Sequence, residues 1–275
     1  MKLAVSIVTF RTDEAELRAC VASLDTDAVG RISIIDNGSE PRIRDIVSDM
    51  PKVRYTASAN IGYGAAHNIA LRESLADGVE YHLVLNSDVR FDTAVLQRLV
   101  GYMDAHPNVG QLQPRIVYPD GEMQYTVRRL PAPLDVFGRR FLPARWMRRR
   151  NDRYLLKDLD HDRELNVPYH QGSFMLLRVD ALRQVGLFDE RFFMYPEDID
   201  LTRRMHSRYV TLYYPAETII HDHRRESYRS GRLLRIHIVN MIRYFNKWGW
   251  LFDSERRRVN RLLSAQAYSK DARRK

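Results

Sequence analysis

Two groups of acids stand where the chain turns from apolar to polar, and each could do chemistry. The run Tyr81-His-Leu-Val-Leu-Asn-Ser-Asp88 is largely apolar until Asn86. Read as a strand buried on both faces, it leaves Asn86 and Asp88 at its carboxyl end. They are two apart, hence on one side, and could converge on a metal-bound diphosphate. Asn-Ser-Asp is equally ordinary turn and cap composition. The second group, Glu197-Asp198, follows Pro196 at a helix start, where acids complement the macrodipole. That reading suffices for Glu197. It leaves unexplained the aromatic residues Phe188, Phe192, Phe193 and Tyr195 just before the acids, which could build a partly dry pocket. Such a pocket would raise a carboxyl pKa and improve it as a general base. A lone histidine is more often structural, but Ile219-Ile-His-Asp-His223 places two around an acid, and His221 could complete a hard-metal site with Asp88.

A third stretch, Asn60-Ile-Gly-Tyr-Gly-Ala-Ala-His-Asn68, opens a helix. Gly62 and Gly64 permit a tight turn and close backbone approach, and the helix start offers N–H groups to an anion. A glycine-rich loop without a ligand fits the same residues. The pattern is neither the dinucleotide fingerprint nor a P-loop.

The elements that must position these groups alternate. Strands are predicted at Lys2 to Phe10, Arg31 to Asp36, Val53 to Thr56, Tyr81 to Leu85, Val109 to Tyr118, Gln171 to Val179 and Tyr209 to Tyr214. Helices fall at Asp13 to Leu24, Pro41 to Asp49, the glycine loop to about Ala76, Asp92 to His106, Asp180 to Val185 and from Glu197. This rhythm implies an α/β fold whose sheet is mostly parallel, with right-handed crossovers. Periodicity fails from Asp120 to Pro168, a proline-containing stretch with seven arginines between Arg139 and Arg153. It reads as a solvated loop or as a basic lid over a phosphorylated ligand. Arg232 to Trp250 is predicted to form an amphipathic helix, with Asn240, Arg243 and Lys247 as its narrow polar stripe, and the tail from Arg256 is expected to fray.

The 275 residues carry a net charge of +9, and from Arg224 to Lys275 fifteen Lys/Arg face four Asp/Glu. A basic tail favours a polyanion, either nucleic acid or an anionic membrane leaflet. Nucleic acid is disfavoured, because the candidate acids would repel it and no helix-turn-helix, zinc-finger or RNA-recognition pattern occurs. The single cysteine, Cys20, excludes an internal disulfide and a multi-cysteine zinc site and fits a reducing compartment. No run is long enough to span a bilayer, and no cleavage site follows the first strand. A sugar-nucleotide-forming nucleotidyltransferase would need a basic, glycine-rich loop after that strand, which Arg11-Thr-Asp-Glu-Ala15 does not supply. No motif specifies an oligomeric state.

Taken in order, Ser6-Ile-Val-Thr-Phe10, Ile35-Asp-Asn-Gly-Ser39, Asn60-x-Gly-x-Gly-x-x-x-Asn68, Leu85-Asn-Ser-Asp88, Gly172-Ser-Phe174, Phe188-Asp-Glu190, Phe193-Met-Tyr-Pro-Glu-Asp-Ile-Asp-Leu201 and His221 resemble the inverting glycosyltransferases of family two, of GT-A fold, especially bacterial rhamnosyltransferase-like members. The resemblance implies a catalytic domain over 1–227, divided into a nucleotide-sugar half (1–118), a basic insert or lid (119–168) and an acceptor and catalytic half (169–227), followed by a basic amphipathic helical extension (228–275). It implies that Asp36 bonds a pyrimidine base, and that Thr9, Phe10, Asn60, Gly62, Tyr63, Gly64, Asn68, Asn86, Ser87 and Gly172 complete the nucleotide-sugar site. Asp88 is similar to the metal-binding acid of a D-x-D motif whose first position is here Asn86, with His221, or in reserve His223, as its companion for Mg2+ or Mn2+. Asp198 is similar to the catalytic base of a Glu-Asp dyad with Glu197. The implied donor is dTDP-rhamnose, with a UDP-sugar behind it. The basic C-terminal helix and the arginine-rich insert suggest as acceptor a lipid-linked saccharide of cell-surface polysaccharide synthesis, O-antigen among the possibilities, met by a cytoplasmic protein peripheral on the inner face of the membrane; a solvated structural helix packed on the catalytic domain is the other reading. A degenerate transferase that only binds is the remaining alternative; intact Asp88 and Asp198 speak against it.

Overall fold

The structure, a computed structural model, describes residues 1–139, 142–222 and 231–271, with side chains as far as 264. In chain order its elements are β1 (Leu3–Thr9), α1 (Glu14–Ala22), β2 (Val29–Asp36), α2 (Pro41–Val47), β3 (Val53–Ala57), α3 (Tyr63–Ala76), β4 (Tyr81–Asn86), β5 (Val89–Arg90), α4 (Ala94–Ala105), β6 (Val109–Val117) and β7 (Val127–Arg128). A π-helical turn (Leu134–Gly138) then leads to α5 (Ala144–Tyr154), β8 (Leu165–Asn166), β9 (Tyr169–His170), β10 (Phe174–Arg178), α6 (Val179–Val185), α7 (Glu197–His206), β11 (Val210–His221), α8 (Gly231–Trp248) and α9 (Ser254–Asp271).

The main sheet runs in the order β3-β2-β1-β4-β10-β6-β11-β5, with β8 paired to β11. Strands β3, β2, β1 and β4 are parallel, as are β6 and β11, while β10 lies antiparallel between β4 and β6. Alternation along β4 shows why its sequence is apolar throughout. Leu83 and Leu85 join a core with α1, α2 and α4 on one face, and Val84 joins a second core with α3, α6 and α7 on the other. The chain reverses its winding at β1, with β2 on one side and β4 on the other. Thr9 and Asn86 close those strands at the switch point where open α/β sheets bind ligands.

The insert is more ordered than its failed periodicity suggests. Val127 and Arg128 pair with His170 and Tyr169, and α5 buries Met147 and Tyr154, the tyrosine in one cluster with Tyr169, Phe192 and Tyr244. The tail is corrected outright. Instead of fraying from Arg256 it forms α9, which buries Val259 and Leu263 and lays the Arg256 guanidinium on the carbonyls of Gly249, Trp250 and Pro131. Two apolar residues a turn apart and a buried arginine stem anchor a helix whose composition is otherwise polar. The polar stripe of α8 also faces protein: Asn240 donates to the Met194 carbonyl, Arg243 to that of Arg191, and Lys247 to Asp189. Arg203 of α7 meets Asp253 at 2.7 Å and 2.8 Å, both side chains 2% exposed, and stacks on Trp248 at 4.0 Å. The two C-terminal helices are thereby tied to the helix that carries Glu197 and Asp198. Among the described residues no helix is long and apolar enough to cross a membrane.

Candidate active site

The sheet end at β1 and β2 is occupied by a closed hydrogen-bond set. Asp36 is fully buried; its Oδ1 accepts from Thr9 (3.2 Å) and Gly38 N (3.0 Å), and its Oδ2 from Glu40 N (2.6 Å) and the Tyr55 hydroxyl (2.9 Å). A carboxylate has about four acceptor positions. All four are engaged, so a base bonding to Asp36 must displace one of these donors. Phe10, just past β1, is 49% exposed.

The glycine loop is explained by what it packs against. Gly62 has φ +98°, and a Cβ there would lie 2.2 Å from the Phe193 carbonyl oxygen, which accepts from Tyr63 N at 2.9 Å. Only glycine fits that combination. A Cβ on Gly64 would meet Phe188 at 2.9 Å. Asn68 is buried and its whole amide is spent on Phe188 and Glu190. Gly62, Gly64 and Asn68 therefore dock α3 against the 188–193 loop, and Asn60 accepts from Gly62 N. Tyr63 is the member that reaches the acids. Its hydroxyl is shared between Gly172 O (2.7 Å) and Asn86 Oδ1 (3.0 Å). Burial and the charges of Glu197, Asp198 and Asp88 push it well above the usual phenol range.

Asp88 follows Ser87 in the turn from β4 to β5, and β5 pairs with β11 so that Val89 opposes His221. The register brings His221 Nε2 to 3.3 Å from Asp88 Oδ1. His221 is fully buried and set from behind by Gln124, whose Nε2 donates to the His221 carbonyl at 2.7 Å. This fixes Gln124 Oε1 as the acceptor facing His221 Nδ1 at 3.0 Å. Nδ1 then donates to Gln124 Oε1, and Nε2 is turned toward Asp88, whose buried Oδ1 has no hydrogen-bond partner among the described residues. A carboxylate oxygen and an imidazole nitrogen converging at this distance are a pair of donor atoms suited to a cation. No group of three or more His, Cys, Asp or Glu side chains gathers for a metal among the described residues, which here bring together Asp88 and His221. His223 lies outside the described residues.

Glu197 and Asp198 open α7 after a corner at which Tyr195 takes φ 57°, a left-handed conformation that costs a bulky residue about 1 kcal/mol. The corner is held from both sides, by Tyr63 N on Phe193 O and by Asn240 on Met194 O. Asp198 Oδ2 accepts from Gly172 N (3.0 Å) and Oδ1 from Ile199 N (2.7 Å). Burial pushes its carboxyl up to about 6; the two backbone donors and the charge of Arg128 restrain the rise. Glu197 has its own backbone N–H as a restraint. Its Oε2 is buried without a hydrogen-bond partner among the described residues, and burial beside Asp198 drives its carboxyl well above the usual carboxylate range. Of the two, Glu197 is pushed toward holding a proton and Asp198 is the better-stabilised carboxylate.

The profile of the family described as Glycosyl transferase family 2 matches residues 5–186. The chain belongs to that family. An N-acetylglucosaminyl-diphospho-decaprenol L-rhamnosyltransferase of Mycobacterium tuberculosis is 31% identical over 221 residues, covering 76% of this chain and 71% of that protein. The rhamnosyltransferase WbbL of Escherichia coli is 27% identical over 225 residues, covering 78% of this chain and 81% of that one. Among solved structures, S. aureus TarS 1-349 in complex with UDP aligns with TM-score 0.56 at 13% identity over 98% of this chain and 72% of that chain. GalNAc-T7 with UDP, GalNAc and Mn2+ aligns with TM-score 0.61 at 15% identity over 81% of this chain, which spans 43% of its length. These neighbours establish the GT-A fold.

Within this family 2 glycosyltransferase, three residues of the site escape motif reading. Gln124 backs His221 from the irregular segment after β6. Gln171 and Arg128 lie beside Asp198: the Arg128 guanidinium bonds Gln171 Oε1 at 3.4 Å and Tyr169 OH at 3.5 Å, packs over the Tyr169 ring, and has no carboxylate in ion-pair contact among the described residues. Arg128 is signalled in the sequence by no more than an arginine next to Arg129 in an otherwise unpatterned stretch, and Gln171 by its place at the start of a predicted strand beside Gly172.

Proposed function

We propose that this glycosyltransferase is a metal-dependent, inverting enzyme that moves rhamnose from dTDP-rhamnose to a hydroxyl of a lipid-linked saccharide in cell-surface polysaccharide synthesis. The observation that carries the reading is the division of labour between the two acid groups. Asp88 with His221 forms an anionic, cation-fitting pair at the switch point, while Asp198 is a desolvated base held by Gly172 and Ile199.

The acceptor hydroxyl attacks the anomeric carbon from the face opposite the diphosphate, and the bond to the diphosphate oxygen breaks with its electron pair. Asp198 takes the hydroxyl proton. Glu197, pushed by burial toward its protonated form, adds less charge to repel the incoming oxygen. Tyr63 fixes the Gly172 carbonyl and the Asn86 amide, and so keeps base and donor sides in register. Asp88 and His221 would hold Mg2+ or Mn2+, which when bound supplies positive charge to the leaving diphosphate. Direct displacement inverts the anomeric centre and needs no protein nucleophile. The donor and acceptor classes draw support from the relatives' names, and the exposed Phe10 at the end of β1 is a surface on which a nucleoside could rest.

The test is a panel of dTDP-, UDP- and GDP-sugars with Mg2+ or Mn2+ and a polyprenyl-diphosphate saccharide. Transfer from dTDP-rhamnose, with inversion read by NMR of the product, is expected. Transfer from another donor alone, or retention, would refute the reading.

A further inference from the structure

On the other side of β7 from Asp198 lies a second recess. Successive residues of an extended chain point opposite ways. Arg128 faces Tyr169 and Gln171 at the active site, whereas Arg129 turns outward to the carbonyls of Arg153 and Asn260. There it floors a cavity of about 1070 Å³ between α5, the Trp250–Phe252 loop and α9. Seven arginines and one acid, Asp135, line it. Asp135 is taken by Arg150 at 2.6 Å. Arg149, Arg153, Arg257 and Arg261 are exposed and have no carboxylate in ion-pair contact among the described residues.

The rim is apolar where soluble surfaces are not. Leu251 is 66% and Phe252 86% exposed on the loop, and Trp146 is 67% exposed on α5. Trp146, Arg149, Arg150 and Arg153 stand at i, i+3, i+4 and i+7, so the tryptophan crowns the same helix face that lines the recess. On α9, Arg257 and Arg261 are likewise one turn apart and face it. The Arg257 guanidinium stacks over Phe252 at 5.8 Å and donates to the Leu251 carbonyl, which couples one arginine to the apolar tip.

We infer that this face docks the enzyme on an anionic phospholipid bilayer, with Leu251, Phe252 and Trp146 entering the headgroup region and the four unpaired arginines on lipid phosphates. Aromatic and aliphatic tips ringed by cations match that interface. A nucleic acid would reward the cations and the tryptophan but not an exposed leucine at the same rim, and a second copy of the chain would bring the same positive charge. The inference rests on the proposed lipid-linked acceptor only for its purpose, since the surface is read without any acceptor.

The test is sedimentation of the full chain with phosphatidylcholine vesicles with and without phosphatidylglycerol. Leu251→Ser/Phe252→Ser, Arg257→Glu/Arg261→Glu and, at the far sheet edge, Arg54→Glu are compared with wild type. Wild type and Arg54→Glu are expected to bind anionic vesicles at low salt. Reversing the arginine pair is expected to weaken binding by more than ten-fold, given roughly five-fold per cation, and the apolar pair to weaken it on vesicles of either composition. Nucleotide release from the donor in solution stays at wild-type level in every variant, so a protein that binds vesicles but turns over no donor would sink the proposed reaction and leave the surface standing. Absence of wild-type binding, wild-type binding by both double variants, or preference for a DNA duplex over anionic vesicles would overturn the inference.

Discussion

Arg128 offers a test of how Asp198 is kept ready as a base. Replacing it with Gln removes the one side-chain cation that restrains the Asp198 carboxyl at about 6. Neighbouring opposite charge typically lowers a carboxyl by 1 to 3 units. Taking the low end, about one unit or roughly 1.4 kcal/mol, the Asp198 carboxyl moves to about 7. At pH 6 the ionised fraction then falls from about one half to about one tenth, a roughly five-fold loss, whereas at pH 8.5 the two enzymes differ by under about 10%. The assay is the pH dependence of kcat/KM for acceptor-dependent nucleoside diphosphate release, in wild type, Arg128→Gln and Arg128→Lys. The acidic limb is expected to shift up in Gln and to return toward wild type in Lys, which restores the charge but not the fork. Coincident limbs, or a loss uniform across pH, would refute the electrostatic role and leave Arg128 with packing alone.

Three further outcomes follow from the same geometry. Gln124→Leu removes the acceptor that holds the His221 Nδ1 proton, so Mn2+-dependent nucleotide affinity by calorimetry should drop about 10- to 100-fold, as for other outer-shell partners, with metal-free affinity unchanged; Asp88→Ala should lose the metal dependence entirely. Asp198→Asn should stabilise the fold in mild alkali. The folded carboxyl, at about 6, lies above its ordinary 3.8, so its contribution is full below the lower value and lost as pH rises through the upper, costing up to ~3 kcal/mol at pH 8; melting should show the variant more stable at pH 8 by roughly 1–3 kcal/mol and indistinguishable at pH 4. Asp253→Ala leaves the buried Arg203 with Glu255 as its carboxylate partner and should cost about 1–3 kcal/mol in urea unfolding, with activity falling as the support of α7 loosens.

Much of the frame was legible because its signals are local. Buried parallel strands read as apolar runs ending in Asp36 and Asn86, and their order with the helices fixed the layers. Asp88, His221 and Asp198 were legible as acids and a histidine at element ends. What each neighbour does was not. Gly62 and Gly64 read as a loop that could approach an anion, but their absent side chains admit Phe193 and Phe188, partners about 125 residues away whose approach no local pattern encodes. Gln124 and Arg128 lie in a segment without periodicity and acquire their roles only through the β5–β11 and β7–β9 pairings. The polar stripe of α8 carried the right residues with the wrong partner: Asn240 suggests solvent by type, yet it is 2% exposed and braces the Tyr195 corner. The packing of α9 is not legible because a mostly polar sequence gives little apolar periodicity, and its anchor is a buried arginine.

The most direct measurement is acceptor-dependent transfer by Asp198→Asn at pH 8 with saturating metal and donor, alongside donor affinity. With Asp198 as the base, kcat should fall about 10²- to 10⁴-fold while nucleotide binding and metal dependence stay at wild-type values. Activity within a few-fold of wild type would contradict the account, whatever the donor.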